Sequence, residues 1–334
     1  MALATQYRPS RLEDVVGQSM VTAVLQHQLA SSALSQAILF VGPAGTGKTT
    51  LARIIAGCLD AQVIELDAAS HGGVEQIRNL RDHAMLTSVL SKHKVYILDE
   101  AHQMTAASFQ VLLKILEEPP VSTTFVLCTT DPQKIPATVR SRLETYRLVR
   151  IPLDDVAARL AFVASQEGIV LTDDALMFLA KRSNGGLRDA LMLLDQCASY
   201  KKNLSLAEVE YVCGSVPVLA CIELLHAWVD RNPAQALSIL DTLCSSTYDL
   251  RDVVRDCMQV LVDVVKWRRV QTLKVLTFVY PTVASLASLS QRLEVLSRSP
   301  YSLYERLAKL LQTMRFEDRP RLFVEGEFVC SLDS

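Results

Sequence analysis

The stretch Gly42–Thr50, GPAGTGKTT, constrains this chain more than any other, because an apolar run (Ile38, Leu39, Phe40, Val41) precedes it and a helix-prone segment, LARIIAG, follows. Strand, glycine-rich turn and helix in that order are the setting in which G-x-x-x-x-G-K-[ST] holds phosphate. Gly42, Gly45 and Gly47, with Pro43, Ala44 and Thr46 between them, let successive backbone N–H groups turn inward as an anion nest, and the following helix adds the positive end of its dipole. Lys48 can then reach the outer phosphates, Thr49 can ligate Mg2+ through its hydroxyl, and Thr50 continues the first turn of the helix.

Around this loop, strands and helices alternate. Strands are expected at 38–41, 63–66, 94–98, 124–128 and 145–149, and helices at 48–58, 74–90 and 105–117, with a short helix ending at Arg142. The helix after Thr105 buries Phe109, Leu112, Leu113 and Leu116 on one face and stops at Pro119-Pro120. Five strands spaced by helices imply a parallel sheet covered on both faces.

From Pro152 onward the strand signal disappears. Helices at 154–167, 173–183, 187–200 and 207–212 form a small all-helical region, with Ser205 and Glu208 as a capping box, Thr172 as a cap and Gly185-Gly186 as a helix stop. Beyond residue 214 the chain is helical again. Asn232-Pro233 reads as a cap with proline in the first turn. Leu250, Val253, Val254, Cys257, Met258, Leu261, Val264 and Val265 form a wide apolar stripe, which serves either a core or a subunit interface. These shifts divide the chain into 1–151, 152–214 and 215–334.

With 334 residues, half of them hydrophobic, and a mean hydropathy of +0.22, the chain can bury several cores. A net charge of -2 excludes a generally basic nucleic-acid binder, so any DNA contact must be local. The eight cysteines are scattered with no C-x-x-C pair, and the N-terminal stretch lacks an apolar signal region. No disulfide framework, zinc site or membrane span is therefore expected, and a reducing cytoplasm suits the chain.

Asp99 and Glu100 end a strand on the side where the phosphate loop opens, placed to hold the Mg2+ shell and to polarise an attacking water, respectively. Thr130 ends the next strand and can orient that water, though a plain Thr-Asp-Pro turn explains it equally. Arg142 taken alone reads as a solvated surface residue. Arg188 starts a helix, where the dipole opposes a cation, so it either serves a phosphate or pairs with Asp189 or Glu208.

The blocks YRPSRLEDVVGQ, GPAGTGKTT, ELDAAS, VYILDEAH, LLKILEEPP, CTTDPQKIP, SRL and GGLRDALMLLDQ, in this order, resemble the gamma/tau subunits of the bacterial DNA polymerase III clamp loader, within the AAA+ class. The likeness is dense over residues 5–200 and thinner beyond, where YERLAKLLQTMRFEDRPR still resembles the end of that family's collar. It implies an α/β AAA+ core with a five-stranded parallel sheet, a helical lid and a C-terminal helical collar. It implies that Tyr7, Arg8, Val15, Val16 and Gln18 flank the adenine of ATP. Lys48 and Thr49 match Walker A, Asp99 and Glu100 Walker B, and Thr130 sensor 1. Arg142 matches an arginine finger entering the neighbouring subunit's site, and Arg188 matches sensor 2.

Two departures stand out. The family's four-cysteine zinc module is missing from GCLDAQVIELDAAS, as in replication factor C small subunits or a phage-encoded loader, and Leu143 replaces the usual cysteine after the finger. His71, Gly72 and Gly73 carry no strong cation, leaving Lys114 and helix-start N–H groups for DNA. The implied function is an ATPase motor with Mg2+ that opens a sliding clamp and loads it on primer-template DNA. It would work within a ring or spiral, pentameric in expectation, of copies of itself or other loader subunits, in a bacterial or phage-infected cytoplasm. A DEAH-type helicase and a nucleotide-gated scaffold are the rival readings.

Overall fold

Short apolar runs alternating with amphipathic helices build an all-parallel five-stranded sheet in the first half of the chain. The computed structural model describes residues 2–85, 93–245, 248–272, 276–278, 283–296, 298–314 and 320–330. The strands are β1 Ala37–Val41, β2 Gln62–Asp67, β3 Lys94–Asp99, β4 Thr123–Thr129 and β5 Glu144–Arg147, in the spatial order β2-β3-β4-β1-β5. The first helices are α1 Ser19–Ala30, α2 Lys48–Cys58, α3 Val74–Met85, α4 Ala106–Glu117 and α5 Leu153–Gln166. The further expected reach of α3, residues 86–90, lies outside the described residues.

Alternate strand residues face opposite layers. Ile38, Phe40, Ile97, Val126 and Cys128 pack with Leu51 and Ile55 of α2, while Leu39, Tyr96, Leu98, Phe125 and Leu127 pack with Ile77 of α3 and Phe109 and Leu112 of α4. Burial on both faces explains why these strands read as continuous apolar runs rather than alternating ones. Parallel registry aligns the C-terminal strand ends: Val41 pairs with Thr129 and with Arg147, and Gly42 N donates to Thr129 O at 3.2 Å. The loop after β1 therefore opens beside the ends of β4 and β3.

The chain forms two compact units, Met1–Val163 with Ser183–Asp195, and Ala164–Arg182 with Gln196–Ser334. The remaining helices longer than four residues are α6 Asp173–Arg182, α7 Leu187–Tyr200, α8 Leu206–Val212, α9 Val218–Val229, α10 Pro233–Ser245, α11 Leu250–Val270, α12 Val283–Val295, α13 Pro300–Thr313 and α14 Pro320–Cys330. Within the second unit, Glu208 accepts from Ser205 N at 2.8 Å as the capping pattern requires, and Asn232 Oδ1 accepts from Gln235 N at 3.2 Å ahead of Pro233. One element was not legible: β6 Val170–Leu171 pairs in parallel with β7 Asn203–Leu204, two-residue strands too short to carry a period.

The apolar stripe of α11 is core. Leu250, Val253, Val254, Cys257, Leu261 and Val264 are buried in one cluster with Trp228 of α9 and Leu307 of α13, and only Val265 of the stripe is substantially exposed. Trp228 packs against Phe328 with ring centroids 5.0 Å apart. Among the described residues of the second unit β6 and β7 are the only strands, so the second α/β domain that a helicase needs is not among them. No helix of the described residues is long and apolar enough to cross a membrane. The collar-like block 304–321 spans residues 315–319, which lie outside the described residues.

Candidate nucleotide-binding site

The loop between β1 and α2 is shaped by two glycine requirements. A Cβ on Gly42 would stand 2.6 Å from Leu148 O, so the strand end admits no side chain, and Gly47, at φ +106°, takes the left-handed turn that starts α2. Lys48 folds back over the loop, its ammonium donating to Gly42 O at 2.9 Å and Pro43 O at 2.8 Å. Burial pushes this ammonium below its ordinary pKa, against the pull of Glu100 and Asp99. Thr46 Oγ1 ties the same turn by donating to Pro43 O at 2.8 Å.

Thr49 Oγ1 donates to Asp99 Oδ2 at 2.8 Å, joining the first turn of α2 to the end of β3. Glu100 follows in a left-handed conformation, φ +47°, with its N–H on Asp99 Oδ1 at 3.0 Å. Its Oε2 is buried without a hydrogen bond, 3.3 Å from His102 Nδ1. A non-glycine residue held at positive φ with an unsatisfied carboxylate oxygen is a strained, pre-positioned acid.

A cleft opens over this floor, entirely within the first unit. Ala44 to Thr50 line it with Asp99 and Glu100, Tyr7, Arg8, Val15 and Val16 line the other side, and Arg188 enters from the first turn of α7. That helix is docked on the loop by Leu187 N donating to Gly45 O at 3.0 Å. Burial, with the Arg53 guanidinium, pushes Arg8 below its ordinary pKa. Lys48, Arg8 and Arg188 thus face one space across from two carboxylates, an arrangement that suits a polyphosphate with a divalent cation. Among the described residues no three His, Cys, Asp or Glu side chains cluster to hold a metal. The Thr49 hydroxyl and Asp99 carboxylate fit Mg2+, which takes one or two protein oxygens and completes its shell with phosphate and water.

Several expected residues fall elsewhere. Gln18 does not line the cleft: its side-chain amide donates to Val149 O at 2.7 Å and accepts from Val149 N at 3.2 Å, so it clasps the chain beyond β5 and is spent on backbone. Gly42 and Pro43 lie behind the lining and receive Lys48. Thr130 is exposed one residue past β4 and outside the lining, while its neighbour Thr129 is buried and bonded to His102 Nδ1 at 3.2 Å. Arg142 pairs with Glu117 at 2.8 Å, half exposed, away from the cleft of its own chain. Glu208 is held by Lys201, and Arg188 makes no ion pair among the described residues. Lys114 is exposed on α4.

The apolar end of the cleft, Ala4, Pro9, Ile151, Leu187 and Leu191, was not foreseen. Leu187 and Leu191, one helical turn apart on the helix that carries Arg188, were the available signal.

Comparisons with known proteins agree with this geometry. Residues 57–152 match the family described as "DNA polymerase III, delta subunit", and residues 155–202 match "DNA polymerase III clamp loader subunit, ATPase lid domain". The chain is 32% identical to DNA polymerase III subunit tau of Bacillus subtilis, over 97% of this chain and 62% of that protein. It is 34% identical to DNA polymerase III subunit tau of Escherichia coli, over 72% of this chain and 41% of that one. The chain thus spans less than two thirds of the length of these relatives. The RuvB Holliday junction branch migration motor of Thermotoga maritima shares the fold, with a TM-score of 0.52 at 20% identity over 92% of this chain and 91% of that one. With a five-stranded parallel sheet, a phosphate loop answered by Asp99 and Arg188, and tau relatives matched along almost the whole chain, the protein belongs to the bacterial DNA polymerase III gamma/tau clamp-loader family of AAA+ proteins.

Proposed function

We propose that this chain is an ATP-hydrolysing motor subunit of a clamp loader. The observation that carries the reading is the Thr49–Asp99 contact beneath a cleft that also receives Lys48 and Arg188, because it assembles a Mg2+-phosphate seat and its charge partners in one chain. In this reading Lys48 leaves its two loop carbonyls for the outer phosphates, and Arg188 meets them from α7. Glu100 orients the attacking water, with Thr130 contributing if nucleotide draws it inward. Tyr7, Arg8, Val15 and Val16 surround the base and sugar. When bound, Mg2+ neutralises phosphate charge that builds up during transfer.

Arg142 has no role in its own cleft, and its pairing with Glu117 at the exposed end of α4 leaves it at the surface. It serves instead as a finger for the site of an adjacent subunit, so that hydrolysis waits for assembly. The partners would be further loader subunits or copies of this chain in a ring or spiral of about five, the count such loaders take by family resemblance, together with a sliding clamp and primer-template DNA. Lys114 and helix-start N–H groups would meet the DNA, and the setting would be the cytoplasm of a bacterium or phage-infected host.

Steady-state ATPase of the assembled complex tests this, with and without clamp and primed DNA, for wild type, Glu100→Gln and Arg142→Ala. Stimulation by both partners, with at least a tenfold loss in each variant and retained nucleotide binding, is expected. Turnover that ignores the clamp and the Arg142 change would sink the motor reading.

A further inference from the structure

The seven cysteines whose side chains are described are free thiols, and two of them touch within the second unit: Cys197 Sγ lies 4.0 Å from Cys213 Sγ. Cys197 is buried in the last turns of α7, and Cys213, half-buried, caps the C-terminus of α8. The backbones around the two sulfurs are already tied together. Gln196 Nε2 donates to Val212 O at 3.0 Å, Cys213 N donates to Val209 O at 2.9 Å, and Arg182 donates to Cys213 O at 3.1 Å and to Ser215 Oγ at 2.6 Å. Closing the gap to a bond of about 2.05 Å then asks for side-chain rotation and a small backbone adjustment.

The two thiols are not equivalent. The hydrogen bond from Cys197, together with the Arg182 guanidinium, holds Cys213 below its ordinary value although burial opposes them, whereas the same contact and burial push Cys197 up. A partly exposed sulfur beside a cation is the one that becomes thiolate and meets an oxidant first. The molecule carries its own contrast: Cys221 and Cys257 are also neighbours, with Cys257 Sγ 3.9 Å from Cys221 O, but both are fully buried, and the bond to Cys257 and burial push the Cys221 thiol far up.

We propose that Cys197 and Cys213 form an oxidation site for hydroperoxides, closing to a reversible disulfide that staples the end of α7 to the end of α8. The Cys213 thiolate attacks a peroxide oxygen, the O–O bond breaks, and Cys213 becomes a sulfenic acid while the peroxide leaves as water or an alcohol. Cys197 sulfur then attacks the Cys213 sulfur, and the S–O bond breaks. The departing hydroxide takes the Cys197 proton as water. Two thiols have lost two electrons and two protons, and one hydroperoxide has been reduced. A small thiol reductant reverses the bridge by exchange.

The test uses the full chain and hydrogen peroxide at one to ten equivalents, followed by alkylation, digestion and mass spectrometry. The expected product is a Cys197–Cys213 cross-linked peptide that dithiothreitol removes, formed several times faster than any oxidation of the exposed Cys58, with Cys221 and Cys257 alkylated only after denaturation. Cys197→Ser should leave a sulfenic acid at Cys213 that dimedone traps, and Cys213→Ser should abolish the reaction at both positions. Wild-type protein whose Cys213 stays reduced while Cys58 oxidises, or whose Cys213 cross-links to other cysteines as often as to Cys197, would overturn the proposal. None of these readouts depends on ATPase activity.

Discussion

Lys48 in the first unit and Asp263 in the second are both charge-bearing side chains out of water, at 6% and 0% exposure, and they are handled in opposite ways. Asp263 accepts from Thr277 N at 2.9 and 2.8 Å, one contact to each oxygen, from Phe278 N at 3.0 Å and from Lys266 at 3.3 Å. The carbonyls of the same strip, Leu276 and Phe278, accept from Lys181 at 2.9 and 3.0 Å. These bonds are to backbone N–H groups and to a lysine of the same unit, and the result is a clasp on the segment that follows α11. Lys48 donates to carbonyls of its own loop, and it sits at the lining of an open cleft, so its partners are ones a ligand can replace. The difference separates a buried charge tied into backbone from one that lines an open cleft. The second kind adds little to stability, because burial already disfavours its charged form.

The largest expected effect breaks the comparison on the ligand side. Lys48→Met removes charge-assisted bonds worth about 1.5–3 kcal/mol each, so nucleotide affinity by titration calorimetry should fall about 100-fold or more, with the melting temperature unchanged or raised. A melting temperature that drops as far as that of an Asp263 variant would show Lys48 to be structural. On the other side, Asp263→Ala takes a fully buried acceptor from the N–H groups of Thr277 and Phe278 and from Lys266, and should cost about 2–4 kcal/mol in denaturant unfolding while leaving nucleotide affinity within about twofold.

A third experiment sharpens the contrast through pH. Burial raises Glu210 to about 7 from an ordinary 4.5, and raises Asp256 to about 6, both in the second unit. Below their ordinary values both carboxyls hold protons folded or unfolded. Through the interval up to about 7 the unfolded chain releases protons that the folded chain keeps, so stability falls with rising pH. Glu210→Gln should flatten that decline and stabilise the protein at pH 8 on the order of 1–2 kcal/mol, read from melting curves between pH 5 and 8. Smallest of all, Glu65→Ala breaks the half-exposed Arg53 pair at 2.7 Å and should change stability by less than about 0.5 kcal/mol.

Much of the site was readable from residue order, because the groups concerned act within a few positions of one another. The loop, α2 at Lys48–Cys58 and α7 at Leu187–Tyr200 stand where composition and spacing put them. What escaped notice was long-range and polar. Gln18 was expected at the adenine, yet its amide reaches Val149, a partner 131 positions away that no local pattern reveals. The buried Asp263 meets backbone N–H groups 14 and 15 positions on, and the Cys197–Cys213 contact joins residues 16 positions apart, spacings that no helix period brings together.

Sequence alone determined the glycine-rich turn between strand and helix, since those glycines permit the backbone path that turns N–H groups inward ahead of Lys48. It also determined the parallel sheet, because five apolar runs separated by helices have no other way to bury both faces. Only the tertiary structure decided which side chains share the cleft. Asp99 meets Thr49 across 50 positions, and Arg188 arrives on α7, which docks on the loop through Leu187 N donating to Gly45 O across 142 positions. Such meetings depend on strand order and helix docking, which are settled by the packing of the whole unit and by no local stretch of it.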